Sequence, residues 1–292
     1  MIFEALPGYF AAFPDRNTKE VDSSKIDHNK LVNQDSWKQL YNSLPSDTDR
    51  THYKLLVLAR HGQGYHNAAI ERYGQKEWDR YWSFLNGDEH GMWLDSKLTP
   101  VGKKQVTQTG SDFLAPLIED IGILPQAFFS SPMRRCLETF LESWNQVFER
   151  ENMNNDNINV KVIENIRETL GEHPCDLRVP HSDAVGEYQD FKTNSGTMVQ
   201  WNYEMGYPEE DQLYKPDHRE TIQEMDERLH DGLSQIFNQL TIDDKFVSIT
   251  CHAGVIQSIL RNLKHPDVKN LNTGKTVCVV VKVSVNKNPL IN

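Results

Sequence analysis

Arg60, His61 and Gly62 stand together at the end of an apolar run, LLVLA (55–59), and His252 closes another, KFVSITC (245–251). An imidazole can serve as a nucleophile through a ring nitrogen. A guanidinium fork matches the oxygens of a phosphoryl group. Ser130-Ser131-Pro132-Met133-Arg134-Arg135 adds two arginines, and Arg167-Glu168 adds a carboxyl able to protonate a leaving oxygen. Two histidines and at least two arginines repel one another unless an anion lies between them, and a phosphoryl group is an anion of the right shape. The chemistry to expect is therefore attack on a phosphate ester.

The elements that would hold these residues alternate. Lys54 to Ala59, Ala127 to Ser131, Val160 to Glu164, Lys245 to Cys251 and Thr276 to Val283 read as buried strands. Between them lie helices: about 66–85, then one opened by Thr99-Pro100 and running to about Leu114. Another is opened by Ser131-Pro132, one spans Arg219 to Leu240, and one follows Gly254. This order predicts one α/β domain with a mostly parallel sheet. In such sheets ligands bind beyond the carboxyl ends of the strands, where all four polar clusters fall. Two of the clusters also open helices, whose free N–H groups favour anions. Residues 86–95 and 152–159 read as loops, and 165–218 show little periodicity. Residues 1–52 lack the apolar content for a core of their own and read as an extension packed on the main domain, 53–292, with a short helix in 36–44.

The chain has 292 residues, 38% of them hydrophobic, enough for a large core, and a net charge of −11 that disfavours nucleic acid as a partner. Pro7, Gly8 and Pro14 interrupt the first apolar residues, so no signal peptide is expected, and no window suggests a membrane span. The cysteines, Cys136, Cys175, Cys251 and Cys278, are scattered and read as reduced structural thiols. The expected location is the cytoplasm, with the nucleus as the alternative. The expected partner is a small phosphorylated substrate; oligomeric state is not readable.

LARHG followed by Asn67 resembles the signature of the histidine phosphatase superfamily, the phosphoglycerate-mutase-like fold. DSKLTPVGKKQ (95–105), SSPMRRCLET (130–139), NIRETLG (165–171) and TCHAG (250–254) resemble that family's other motifs, in its order. RHGQGYHN, RETLGEHPCD and the early PGYF are most similar to fungal phosphomutase-like phosphatases. The resemblance implies a three-layer α/β/α domain and no cofactor or metal. It implies that His61 is the nucleophile, that Arg60 and Arg135 hold phosphoryl oxygens, and that Asn67 contacts the phosphate or fixes His61, with a plain helix cap as the rival reading of Asn67. His252 would stabilise the phosphoryl group, and Glu168 would be the proton donor. Arg135 rather than Arg134 is in register, three residues after the proline.

Rivals remain. Glu164 and Glu172 compete with Glu168. A zinc set of His61, His66 and His252 would need a close ligand pair, and none appears. Where glycolytic mutases have Glu-Ser after RHG, this chain has Gln63 and Gly64. HPCDLRVPHSD (173–183) replaces the mutase stretch after the acid, which favours a phosphatase over a mutase. The intact Arg60, His61, Arg135, Glu168 and His252 speak against a silent phosphate-binding protein, which would not need both nucleophile and acid. His173, Asp176, Arg178 and His181 are candidates to line the leaving-group pocket. Trp93, Tyr188, Trp201 and Tyr203 would suit a ring-bearing substrate.

Overall fold

The computed structural model describes residues 1–151 and 156–284. Eight strands form the main sheet: β1 (Ile2–Ala5), β2 (Thr51–Arg60), β3 (Ala127–Ser130), β4 (Asn157–Val162), β5 (Phe191–Lys192), β6 (Met198–Asn202), β7 (Phe246–Cys251) and β8 (Thr276–Ser284). Their order across the sheet is β1-β8-β2-β7-β3-β4-β6-β5. The five from β2 to β6 in that order are mutually parallel. β8, β1 and β5 join antiparallel at the flanks.

The central strands read as unbroken apolar runs because both their faces are covered. Leu55 and Val57 point to one core with Phe140 and Trp144, while Leu56 and Leu58 point to another with Leu229 and Ile259. The first core lies under helix α3 (Arg134–Arg150), the second under α4 (Ile222–Asn238) and α5 (Ala253–Asn262). Helices α1 (Tyr65–Tyr73) and α2 (Pro100–Thr109) complete the surroundings of the site. The result is a mixed α/β domain with helices on both faces of a mostly parallel sheet.

Several boundaries differ from the sequence reading. The helix opened by Thr99 does not stop at Leu114. It widens into a π turn at Gly110–Leu114 and resumes as Ala115–Ile121. Pro116 has no N–H to give the Asp112 carbonyl, and the wider turn accommodates that loss. The irregular stretch 165–218 contains a helix, His181–Tyr188, and the short strand β6. Residues 152–155 of the expected loop lie outside the described residues, and 157–159 belong to β4.

Residues 1–52 enter the main cores through Phe3, Phe13 and Leu40, and β1 forms an edge of the main sheet. Asn29 ties into β8, donating to the Thr276 carbonyl (2.9 Å) and accepting from the Cys278 N–H (2.8 Å). Among the described residues no helix is long and apolar enough to cross a membrane.

Candidate functional site

His61 follows the last residue of β2. Its N–H donates to the Cys251 carbonyl on β7 (3.0 Å), and its own carbonyl accepts from the Gly274 N–H (2.9 Å). The ring is buried, with Nδ1 2.7 Å from the Gly62 carbonyl oxygen. A carbonyl only accepts, so Nδ1 carries the proton and Nε2 keeps a free lone pair. Burial lowers the His61 pKa well below 6.5, and Arg135, His66 and Arg60 push it further down. The imidazole is therefore neutral near neutral pH.

The loop after His61 is held by residues of the two neighbouring motifs. The Gly62 N–H donates to Thr139 Oγ1 (3.1 Å), and the Thr139 hydroxyl donates to the Arg135 carbonyl (2.7 Å). The Gln63 N–H donates to Gln105 Oε1 (2.9 Å). Thr99 donates to Gln63 Oε1 (2.7 Å) while accepting from the Gly102 N–H (3.0 Å) as N-cap of α2. Gly102 is required there, because a Cβ would stand 2.1 Å from the Gln63 carbonyl oxygen. Asp95, fully buried, accepts from the backbone N–H groups of Arg134 and Val179 (both 3.0 Å). Thr99 was read as the helix cap it is, while Gly102, Gln105 and Thr139 had no assigned role in the sequence reading. Their only signal was that they lay inside the quoted motifs.

Arg135 lies in the first turn of α3 and is buried. Its Nε donates to His252 Nδ1 (3.2 Å), Nη1 to the Cys175 carbonyl (2.8 Å) and Nη2 to Asp176 Oδ1 (3.2 Å). One N–H remains on each terminal nitrogen. Burial lowers the Arg135 pKa, but the acidic groups around it, Asp176 foremost, together outweigh burial and the pKa is raised. Since the guanidinium donates to Nδ1, His252 must carry its proton on Nε2, which lies 2.8 Å from Ser131 Oγ. Ser131 was expected to cap α3. Met133 occupies the cap position instead, without a side-chain hydrogen bond, because the Ser131 hydroxyl is turned to His252.

The His61 and His252 rings are 5.2 Å apart between centroids, and His66 stands 5.6 Å from His61. Burial first, then Arg135, lowers the pKa of His66 and His252 well below 6.5. The crowding that seemed to demand an anion is thus relieved first by proton loss from the imidazoles. Unpartnered groups still remain. Arg60 donates through Nη1 to the Leu271 carbonyl, but its Nε is buried without a partner, as is His66 Nδ1. A buried N–H without a partner costs free energy that an arriving anion would recover.

Glu168 reaches the same edge through α5. Its Oε2 accepts from the Gly254 N–H (3.2 Å) and its Oε1 from the Thr169 N–H (3.0 Å). Gly254 lies in the first turn of α5, where a carboxylate suits the helix dipole. Arg228 fixes the segment from behind, donating to the carbonyls of Asn165 (2.9 Å), Arg167 (3.0 Å) and Glu168 (3.2 Å). Glu164 is spent on Arg167, Arg178 and Tyr207.

Other candidates lie elsewhere or are occupied. Asn67 Oδ1 accepts from the Gly64 N–H (2.9 Å), capping α1, and its amide nitrogen makes no hydrogen bond among the described residues. Arg134 binds the carbonyls of Asp95 and Leu94 (both 3.0 Å). Arg178 does not line a pocket: it is buried, donates to the carbonyls of Val179, Pro208, Glu209 and Glu210, and pairs with Glu164. His181 packs on Tyr203 and Tyr207. Trp93, Tyr188 and Trp201 are buried core residues rather than a substrate cradle.

Ligand atoms of His173, Cys175 and Asp176 lie within 4.8 Å of one another. Burial pushes the Cys175 thiol pKa well up, and Asp176 is held by Arg135 and Arg219, so this trio is a poor cation seat. A polar cleft of about 660 Å³ opens between the extension at Asp27–Asn29, α2 and residues 272–276, and shares no lining with His61, Arg135, Glu168 or His252.

No model of a known family matches the chain. It is 59% identical over 98% of both chains to a probable phosphoglycerate mutase of Saccharomyces cerevisiae. It is 34% identical to a probable phosphoglycerate mutase of Arthroderma benhamiae, over 80% of this chain and 65% of that one. Among solved structures, a mycobacterial glucosyl-3-phosphoglycerate phosphatase aligns with a TM-score of 0.40 and 16% identity, over 76% of this chain and 88% of that one.

Proposed function

Given that the chain belongs to the phosphoglycerate-mutase-like group of the histidine phosphatase superfamily, we propose that it is a metal-independent phosphatase acting through a phosphohistidine on His61. The observation that carries this reading is the state of His61: neutral, with Nδ1 committed to the Gly62 carbonyl and Nε2 free. That is the state a nitrogen nucleophile needs.

In the first step Nε2 attacks phosphorus, the P–O bond to the leaving group breaks, and protonated Glu168 gives its proton to the departing oxygen. In the second, water attacks phosphorus, Glu168 takes the water's proton, and the P–N bonding pair returns to His61. Arg60 and the two remaining N–H groups of Arg135 hold the phosphoryl oxygens, with Asn67 Nδ2 as a further donor. His252 reaches the phosphoryl group by giving up Ser131. The fixed guanidiniums supply the electrostatic stabilisation. The first step consumes the Glu168 proton and the second restores it.

The names of the relatives favour a second reading, a phosphomutase, in which the phosphoryl group returns to an alcohol rather than to water. Positions 63 and 64 speak for hydrolysis. Gly64 has no side chain where a mutase would place its serine, and the Gln63 amide before it is buried and spent on Thr99 and Glu71.

Hydrolysis of p-nitrophenyl phosphate with EDTA present, from acid to neutral pH, tests the assignment. Wild type should release phosphate, and His61→Ala should lose at least ~10³-fold of that activity. Equal activity in the variant overturns the nucleophile, activity lost with EDTA overturns metal independence, and phosphoryl transfer to an added alcohol without hydrolysis supports the mutase.

A further inference from the structure

The chemistry above fixes the phosphoryl group but not what it is attached to. On the leaving-group side, the turn that carries Glu168 is strapped to the segment before α4. The Glu172 N–H donates to the Lys215 carbonyl (3.0 Å), and the Glu220 N–H donates to the Leu170 carbonyl (2.9 Å). Gly171 has φ +88°, and a Cβ there would stand 1.7 Å from the His218 carbonyl oxygen, so the two strands of this strap pack backbone to backbone.

Arg219 crosses this strap. Its Nη1 donates to the carbonyls of Thr169 (3.1 Å) and Gly171 (2.7 Å) and to Asp176 Oδ2 (2.8 Å). Asp176 offers its other oxygen to Arg135. One buried carboxylate is therefore shared by two guanidiniums, Arg135 inside and Arg219 at the rim. The two differ in access: the Arg135 side chain is 1% exposed and that of Arg219 31%. All of Arg219's hydrogen bonds leave from Nη1. Among the described residues its Nε and Nη2 have no partner, and neither is sealed from water. Against burial, Asp176 chiefly and Glu168 to a lesser degree raise the Arg219 pKa, and burial first, then Arg219, lowers that of His173. Half of a fixed guanidinium fork thus lies open beside the proposed proton donor.

We propose that Arg219 is a specificity-determining residue, whose free Nε–H and Nη2–H dock a leaving group carrying its own negative charge, a carboxylate or a second phosphate. This rests on the reading that the phosphoryl group sits among Arg60, His61 and Arg135. A planar fork held by three acceptors meets an anion with little ordering cost. A neutral leaving group finds nothing there that water does not already provide. The selecting cation is then neither Arg178 nor any residue of the stretch directly after the acid, but one fifty positions beyond it in the chain.

Binding to the inert His61→Ala protein, measured by calorimetry, separates this proposal from turnover. Phenyl phosphate and 4-carboxyphenyl phosphate form one matched pair. Fructose 6-phosphate and fructose 1,6-bisphosphate form a second, so the two pairs distinguish a carboxylate from a second phosphate. With Arg219 present, the charged member of at least one pair should bind about tenfold more tightly than its neutral partner. Arg219→Ala should erase that preference, and Arg219→Lys, which keeps the charge but not the fork, should keep only a minor part of it. Because each preference is a ratio within one protein, a general loosening of the strap cancels. If phenyl phosphate binds but neither charged ester is preferred, or the preference survives Arg219→Ala, the role of Arg219 is overturned and the phosphoryl seat stands. If no ester binds, the seat itself is overturned, and this proposal with it.

Discussion

The proton inventory of the site follows from which atoms can only accept. Gly62 accepts from His61 and Arg135 donates to His252, so the two imidazoles hold opposite tautomers 5.2 Å apart. One presents a lone pair and the other an N–H. Glu168 adds the transferable proton, and its value depends on how much help the leaving group needs. Glu168→Gln keeps an oxygen for the Gly254 N–H but has no acidic proton. It should lower turnover of alkyl phosphates by about 10²–10⁴-fold, and of p-nitrophenyl phosphate, whose anion leaves unaided, by much less. Equal losses on both, read from steady-state kinetics, would mean that Glu168 acts only as a cap of α5. Of these residues, His61, His252, Arg60, Arg135 and Glu168 were singled out because their clusters fall at predicted strand ends, while their roles, and the choice of Arg135 over Arg134, came only from the family resemblance. Ser131 was misread, since a serine before a proline looks like a helix cap whether its hydroxyl faces the helix or a histidine. Arg219 gave no signal, because nothing local links a residue before α4 to a turn fifty positions earlier.

Between elements, the motifs are fasteners. α2 and α3 are anchored to the loop after β2 by Thr99, Gly102, Gln105 and Thr139, which explains why stretches far apart in the chain belong to one site. Thr139→Val is the sharpest test, because it leaves the Gly62 N–H buried and unpaired. It should destabilise the protein by about 1–3 kcal/mol in denaturant unfolding, with Thr139→Ser recovering most of that. Wild-type stability in Thr139→Val would show that the hydrogen bond does not hold the loop. The parallel strands were readable as apolar runs because both faces are covered. β6 was missed although Val199 and Trp201 are buried between the more open Met198, Gln200 and Asn202, since five residues among Gly, Pro and Asp are too few to set a period.

Across the whole molecule, buried neutral histidines link stability to pH. His61, His66 and His252 are held well below their ordinary pKa of 6.5, and burial lowers His265 to about 4. For a depressed imidazole the unfolded chain takes up a proton that the folded chain refuses. The stabilisation is complete above pH 6.5 and is lost as pH falls through the interval towards each folded value, about 4 for His265. Each such group contributes up to about 1.4 kcal/mol per pH unit within its interval. Unfolding free energy should therefore drop steeply between neutral pH and mild acid, with less proton uptake on unfolding in His61→Ala. A pH-independent stability over that range would contradict neutral imidazoles. Bound phosphate, whose charge favours protonated imidazoles in the folded protein, should lessen that drop.

The most direct test of the central claim is to trap the phosphoenzyme by rapid quench into alkali and locate the phosphate by mass spectrometry. The account predicts an alkali-stable, acid-labile phosphoryl group on His61, absent from His61→Ala. Phosphate on another residue, or full turnover with no phosphoenzyme at any time, would contradict it.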